Sequence, residues 1–112
     1  MRPAWVEVDL SALRKNLNNL RACTAPGTEV MAVIKADAYG HGALKVADLY
    51  RNEGVKRFAV VIIQEGIELR ENGFNEPILI IGHTLEEDYP ELVKHNITPT
   101  IYKYSQAQEL NR

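Results

Sequence analysis

An α/β fold whose strands run parallel is what this sequence predicts, and three observations carry that expectation. Short apolar runs alternate with amphipathic stretches along the chain. The apolar runs recur about every twenty to thirty residues, a usual length for a strand plus its crossover. Glycines stand where two of the amphipathic stretches should stop, at Gly54 and Gly73. Parallel strands cannot be joined by a tight turn and need a helical crossover, so this alternation reads as consecutive βαβ units.

The elements follow in order. Trp5-Val6-Glu7-Val8 alternates apolar and polar residues like a half-buried strand. Leu10, Leu13, Leu17 and Leu20 then recur at helical spacing, with Asp9 or Ser11 available as the cap, and Ala25-Pro26-Gly27 breaks the helix. Val30 to Ile34 is continuously apolar and suits a strand buried on both faces. Gly42 to Asn52 reads as a helix stopped by Gly54. Arg57 to Ile63 holds the second buried run, Gln64 to Asn72 the next helix, and Pro77 to Ile81 the third run. Asp88 to His95 is a further helix, behind the acidic Glu86-Glu87-Asp88, which suits a solvated helix start. Thr98 to Tyr102 reads as a fourth strand, and Ser105 could cap a last helix over Gln106 to Asn111. Four parallel strands with no device to close their edges fit either a small doubly wound sheet or the N-terminal half of a (β/α)₈ barrel. A whole barrel takes about 250 residues, so on the barrel reading residues 1–112 are an incomplete piece.

Composition narrows the function classes. The 112 residues are 46% hydrophobic and 25% charged, with a formal net charge of -2. That balance speaks against a nucleic-acid binder, which would show a clustered basic excess. No apolar run is long enough to cross a bilayer. Met1-Arg2-Pro3-Ala4-Trp5 has no apolar core of a secretory signal. The single cysteine, Cys23, suits a reducing, cytoplasmic setting and reads as a small apolar residue at a helix end. Three separated histidines and one cysteine show no metal-ligand spacing, so no metal is expected.

The chemistry is concentrated in Ala32-Val33-Ile34-Lys35-Ala36-Asp37-Ala38-Tyr39-Gly40-His41-Gly42. Lys35 stands at the carboxyl end of an otherwise apolar strand, where parallel α/β folds collect their ligands. Desolvation disfavours an ammonium ion, which makes the amine a better nucleophile near neutral pH, as imine chemistry requires. The glycines flanking His41 allow tight turning and close backbone approach, and Tyr39 offers a phenol a short loop beyond the lysine. Taken alone, a lysine ending a strand usually reaches to solvent and a Gly-His-Gly loop is usually a turn before a helix.

The whole string Lys35-Ala36-Asp37-Ala38-Tyr39-Gly40-His41-Gly42 resembles the pyridoxal-phosphate lysine signature of alanine racemases. Trp5 to Leu10 followed by Leu13 and Asn16, Gln64 to Gly73, and Pro77 to Gly82 are similar to other segments of that family, so the resemblance covers nearly the whole chain. It implies the N-terminal part of a (β/α)₈ barrel domain, with the rest of the barrel and a C-terminal β domain outside residues 1–112. It also implies a homodimer that interconverts L- and D-alanine by a two-base mechanism and supplies D-alanine for peptidoglycan. By position, Lys35 would hold pyridoxal 5'-phosphate as a covalent aldimine and then act as acid and base on one face of the substrate Cα, while Tyr39 would donate to the cofactor phosphate. The second base, a tyrosine from across the dimer interface, and the arginine facing the pyridine nitrogen would lie downstream. This piece alone is therefore expected to be inactive. Family members often have Asn where this chain has Asp37.

Val33 and Ile81 lie on strands that would line the barrel mouth, so either could contact the cofactor ring, although core packing is the better explanation of their type and such contact an added consequence of position. His83 falls on the same side but reads as a surface histidine. His41 could position the loop or start a helix, and His95 ends a helix where a cation is favourable. The Trp5 segment would contact the C-terminal domain. Two rival functions stand beside alanine racemase: a broad-specificity amino-acid racemase of the same fold, and a non-catalytic pyridoxal-phosphate carrier or regulatory module.

Overall fold

The computed structural model describes residues 3–112, so Met1 and Arg2 of the N-terminal reading lie outside it. Three short strands, β1 (Met31–Val33), β2 (Arg57–Val60) and β3 (Ile78–Ile80), form one parallel sheet in the order β1-β2-β3. Val33 pairs with Ala59 and Ala59 with Leu79, which sets the register across all three strands. Helices α1 (Leu10–Ala22), α3 (Ala43–Asn52), α4 (Ile63–Glu71), α5 (Tyr89–His95) and α6 (Tyr104–Leu110) surround it, with a 3₁₀ turn at Glu86–Asp88 leading into α5. The segment named α2 (Lys35–Tyr39) is a special case taken up with the site. The result is a slab of 46 × 45 × 23 Å.

Local chemistry accounts for the helix boundaries. Asp9 caps α1, its Oδ1 accepting from the Ala12 amide at 3.1 Å, so of the two candidate caps Asp9 serves and Ser11 does not. Helix α3 ends as expected ahead of Gly54, which carries φ +89°, a value glycine adopts without the steric cost other residues meet. Along α1, Leu17 is buried and Leu13 packs against the core, while Leu20 stays exposed, so only part of the leucine stripe is covered.

The core lies on the helix side of the sheet. Phe58, Val60, Ile78 and Ile80 meet Ile34, Leu69 and Leu92 there, and Phe74 sets its ring edge-on to Phe58 at 6.0 Å between centroids. Arg70 of α4 staples the helix ends: its guanidinium donates to the carbonyls of Phe74, Glu76, His95 and Asn96 at 2.7–2.8 Å.

Four expectations are corrected. The run from Val30 to Ile34 is not buried on both faces: Met31 and Val33 are 40% and 38% exposed while Ala32 and Ile34 are buried. A barrel strand gains its second covered face only when the barrel closes around it. The Trp5–Val8 segment forms no strand, and Trp5 is exposed with its indole N–H donating to Glu7 at 3.0 Å. Alternation predicts a strand only where a partner edge exists, and none lies beside it among the described residues. The fourth strand is reduced to a single parallel bridge, Thr98 with Leu79, supported by the Ile80 amide donating to Thr98 at 2.8 Å. Lastly, α6 begins at Tyr104, so Ser105 lies inside the helix and does not cap it; the Gln106 side-chain Oε1 accepts from the Lys103 amide at 3.1 Å instead. Cys23 sits at the end of α1 as expected but is exposed.

Candidate functional site

Beyond β1 the chain enters a conformation rare for residues with a side chain. Ala36, Asp37, Ala38 and Tyr39 carry φ of +50°, +55°, +55° and +56°, so α2 closes helical hydrogen bonds but winds left-handed. A left-handed helix brings each Cβ close to the following carbonyl, at about 1–2 kcal/mol per residue. Four such residues therefore store about 4–8 kcal/mol locally. Strain of that size persists only when the surroundings over-determine it, and it tends to mark functional sites. The composition limits the cost: two alanines, an aspartate and a tyrosine include no β-branched side chain, and Asp tolerates this region better than most.

Several contacts hold the turn. The Ala38 amide donates to Ile34, Gly40 to Ala36 and Gly42 to Asp37 at 2.9–3.1 Å. The Asp37 carboxylate accepts from the Ala43 amide at 2.8 Å and so starts α3. The His41 ring donates from Nδ1 to the Ala38 carbonyl at 3.0 Å, which gives His41 the positioning role weighed for it. Gly40 and Gly42, at φ +87° and +93°, let the chain leave the turn. From the other side comes Glu65 of α4. Its Oε2 accepts from the Ala36 amide at 2.7 Å, and its Oε1 accepts from the Val61 and Ile62 amides at 2.9 and 3.1 Å.

Lys35 is the residue at the head of this turn. It is half-buried rather than buried, and its ammonium lies 5.7 Å from the centre of the Tyr39 ring, within reach of a cation–π attraction. The Tyr39 ring is 60% exposed, leaving its phenol free for a ligand. Val33 leads into Lys35 along β1, and Ile81 follows the end of β3, its amide donating to Val60 at 2.7 Å; both are exposed. The structure thus brings Lys35 and Tyr39 together and leaves Val33 and Ile81 at strand ends with uncovered side chains. A separate cavity of about 330 Å³ lies behind the turn, between Ile34, Val60, Leu44 and the carboxylates of Asp37, Glu65 and Glu68. Neither Lys35 nor Tyr39 lines it.

Three features escaped the sequence reading. The left-handed turn has no local signature, because alanine has no preference for that conformation. Glu65 did have one: an acidic residue three positions after the residue preceding a helix often reaches back to free amides. His83 is exposed, as a surface histidine should be, but it is paired: the Tyr102 hydroxyl meets its Nδ1. The buried Gln106 holds that corner, its side-chain Oε1 accepting from the Tyr102 amide at 3.0 Å. His95 pairs with Glu91 one helical turn earlier, at 3.1 Å, and takes no part in the site. Among the described residues no group of three or more His, Cys, Asp or Glu is placed to hold a metal ion, and no helix is long and apolar enough to cross a membrane.

Fold and site together define a part of a (β/α)₈ barrel that presents an amine and a phenol at the carboxyl end of its first strand. Residues 8–112 match the family described as alanine racemase, N-terminal domain. The chain belongs to that family. The alanine racemase of Carboxydothermus hydrogenoformans is 49% identical over 102 residues, which are 91% of this chain and 27% of that protein. The solved alanine racemase of Clostridium difficile superposes with a TM-score of 0.95 at 45% identity, over 99% of this chain and 29% of its own. A histidine racemase from Leuconostoc mesenteroides superposes at 0.83 with 30% identity, over 90% of this chain and 27% of its own. The chain therefore spans under a third of the length of these relatives.

Proposed function

We propose that this segment belongs to a pyridoxal-phosphate-dependent alanine racemase and carries the cofactor lysine, Lys35. The observation that carries the proposal is the place of Lys35: a half-buried amine beside an exposed phenol, at the head of a strained turn that follows a barrel strand. The donor set suits the cofactor, because an aldehyde calls for a primary amine, a phosphate for a hydrogen-bond donor, and a planar ring for apolar walls.

When bound, the cofactor supplies the electron sink for negative charge developing at the substrate Cα. Lys35 would hold the cofactor through its Nζ, and the same amine would take the Cα proton on one face or return it. Tyr39 would donate its hydroxyl to the phosphate, and Val33 and Ile81, exposed at their strand ends, would offer apolar contacts to the ring. Racemisation needs an acid/base on each face of Cα, so the second group comes from outside residues 1–112, from a homodimer partner. The exposed face of Met31 and Val33 supports the matching view of the domain, in which further barrel units and a C-terminal β domain complete the fold. D-alanine made this way would feed cell-wall peptidoglycan, in the cytoplasm.

The test is made on the intact protein. Borohydride reduction followed by digestion and mass spectrometry should place one pyridoxyl group on Lys35, and Lys35→Ala should lose both that group and racemisation. A pyridoxyl group on a lysine outside this segment, or turnover surviving in Lys35→Ala, overturns the assignment. The histidine racemase neighbour gives specific support to a second reading, a broader or different amino-acid specificity on the same scaffold. Assays with serine, lysine and histidine beside alanine separate the two. Cofactor bound at Lys35 with no turnover on any amino acid would point to a carrier or regulatory module.

A further inference from the structure

We propose that Glu65 is the positioning residue of this site: its carboxylate clamps the ends of β1 and β2 together, holds the left-handed turn in place and so fixes where Lys35 presents its amine. The inference rests on Lys35 being the cofactor lysine. One Glu65 oxygen takes the Ala36 amide at 2.7 Å, and the other takes the Val61 and Ile62 amides at 2.9 and 3.1 Å. Three backbone donors thus converge on one side chain that starts 29 residues away from the turn it holds.

The position of the Ala36 bond matters most. Ala36 is the first residue of the left-handed run and directly follows Lys35. Its amide is the peptide nitrogen joined to the Lys35 carbonyl, so fixing it fixes the Lys35 backbone. The other turn contacts act further along, at Ala38, Gly40, Gly42 and Ala43. Among the described residues, Glu65 is the one side chain whose hydrogen bonds join the turn to the backbone that follows β2. A carboxylate is the side chain that can do this, since both oxygens accept and neither donates. A carboxamide in its place would turn an NH₂ group towards at least one backbone N–H. Glu68, one helical turn on and lining the same cavity, shows no such bonds and is the natural control.

The experiment uses the intact protein and its Glu65→Gln, Glu65→Asp and Glu68→Gln variants, with pyridoxal 5'-phosphate as the probe. In the unmodified protein the Ala36 amide, on an exposed residue, should exchange slowly with solvent deuterium because Glu65 holds it. In Glu65→Gln that protection should fall, and the apparent affinity for the cofactor should weaken about ten- to hundredfold, the scale of a lost hydrogen bond to a charged group. Glu65→Asp should recover part of both losses, and Glu68→Gln should match the unmodified protein.

Each outcome decides something. Pyridoxyl label on Lys35 with Glu65→Gln indistinguishable from Glu68→Gln overturns the role of Glu65 and leaves the Lys35 assignment standing. Label on a different lysine overturns the Lys35 assignment, while Ala36 exchange still tests whether Glu65 holds the turn. Rapid exchange at Ala36 in the unmodified protein overturns the clamp even if the Glu65 variants fail to fold.

Discussion

Replacing Ala36 by glycine should make the turn more stable, an unusual result for an alanine-to-glycine change. The side chain of Ala36 is exposed, so its methyl group contributes no buried surface. At φ +50° that methyl costs about 1–2 kcal/mol, which glycine avoids. Glycine also gives the unfolded chain more freedom, which takes back about 0.4–1 kcal/mol. The difference favours Ala36→Gly by about 0.8 kcal/mol, within limits of about 0 and 1.6. Ala36→Val moves the other way, because a β-branched residue at positive φ meets its own backbone. Native-state hydrogen exchange reads this locally at Ala38, Gly40 and Gly42, whose amides are bonded only while the turn is formed. Their exchange should slow about fourfold in Ala36→Gly and quicken in Ala36→Val. If both variants quicken exchange equally, the left-handed turn is not where the strain resides.

Two further outcomes follow from contacts away from the turn. Arg70→Lys should lower stability by about 2–3 kcal/mol, because one ammonium cannot serve four carbonyls spread around a planar fork and about two would lose their donor. An unchanged thermal melt would show that water replaces those bonds at no cost. Glu29 pairs with Arg57 at 2.8 Å, and that hydrogen bond and charge hold its carboxyl below the usual range. A carboxyl depressed in the folded state adds stability above its unfolded pKa and loses it as pH falls through the folded value. Glu29→Gln should therefore flatten the acid limb of a stability profile slightly, since both partners are half-exposed; a limb unchanged in shape shows the pair contributes nothing.

What the sequence made legible, and what it hid, divides along the range of the interactions. Asp9, Gly54 and the helical spacing around Leu13 and Leu17 act through neighbours a few residues away, so the pattern of residues suffices to place them. Lys35 stood out only through the string that follows it, because a lysine ending an apolar run usually reaches to solvent. The burial of β1 was not legible, because which face is covered depends on strands that close the barrel. Trp5 to Val8 misled for the same reason: alternation reports a half-buried surface, not the presence of the partner that buries it.

The turn after Lys35 shows the deepest form of this limit. Each residue from Ala36 to Tyr39 sits in a conformation its own chemistry disfavours, so summing local preferences gives the wrong hand. The conformation exists because Asp37 caps α3, because Ala38 is 5% exposed in the core, and because Glu65 reaches across from the next unit. Glu65 belongs to the next βαβ unit, so its hold on the turn depends on the pairing of β1 with β2. A lysine set on such a turn is oriented by the assembled sheet rather than by its own segment. The amine therefore gains a fixed position when the units dock, which is what the role proposed for Lys35 would require.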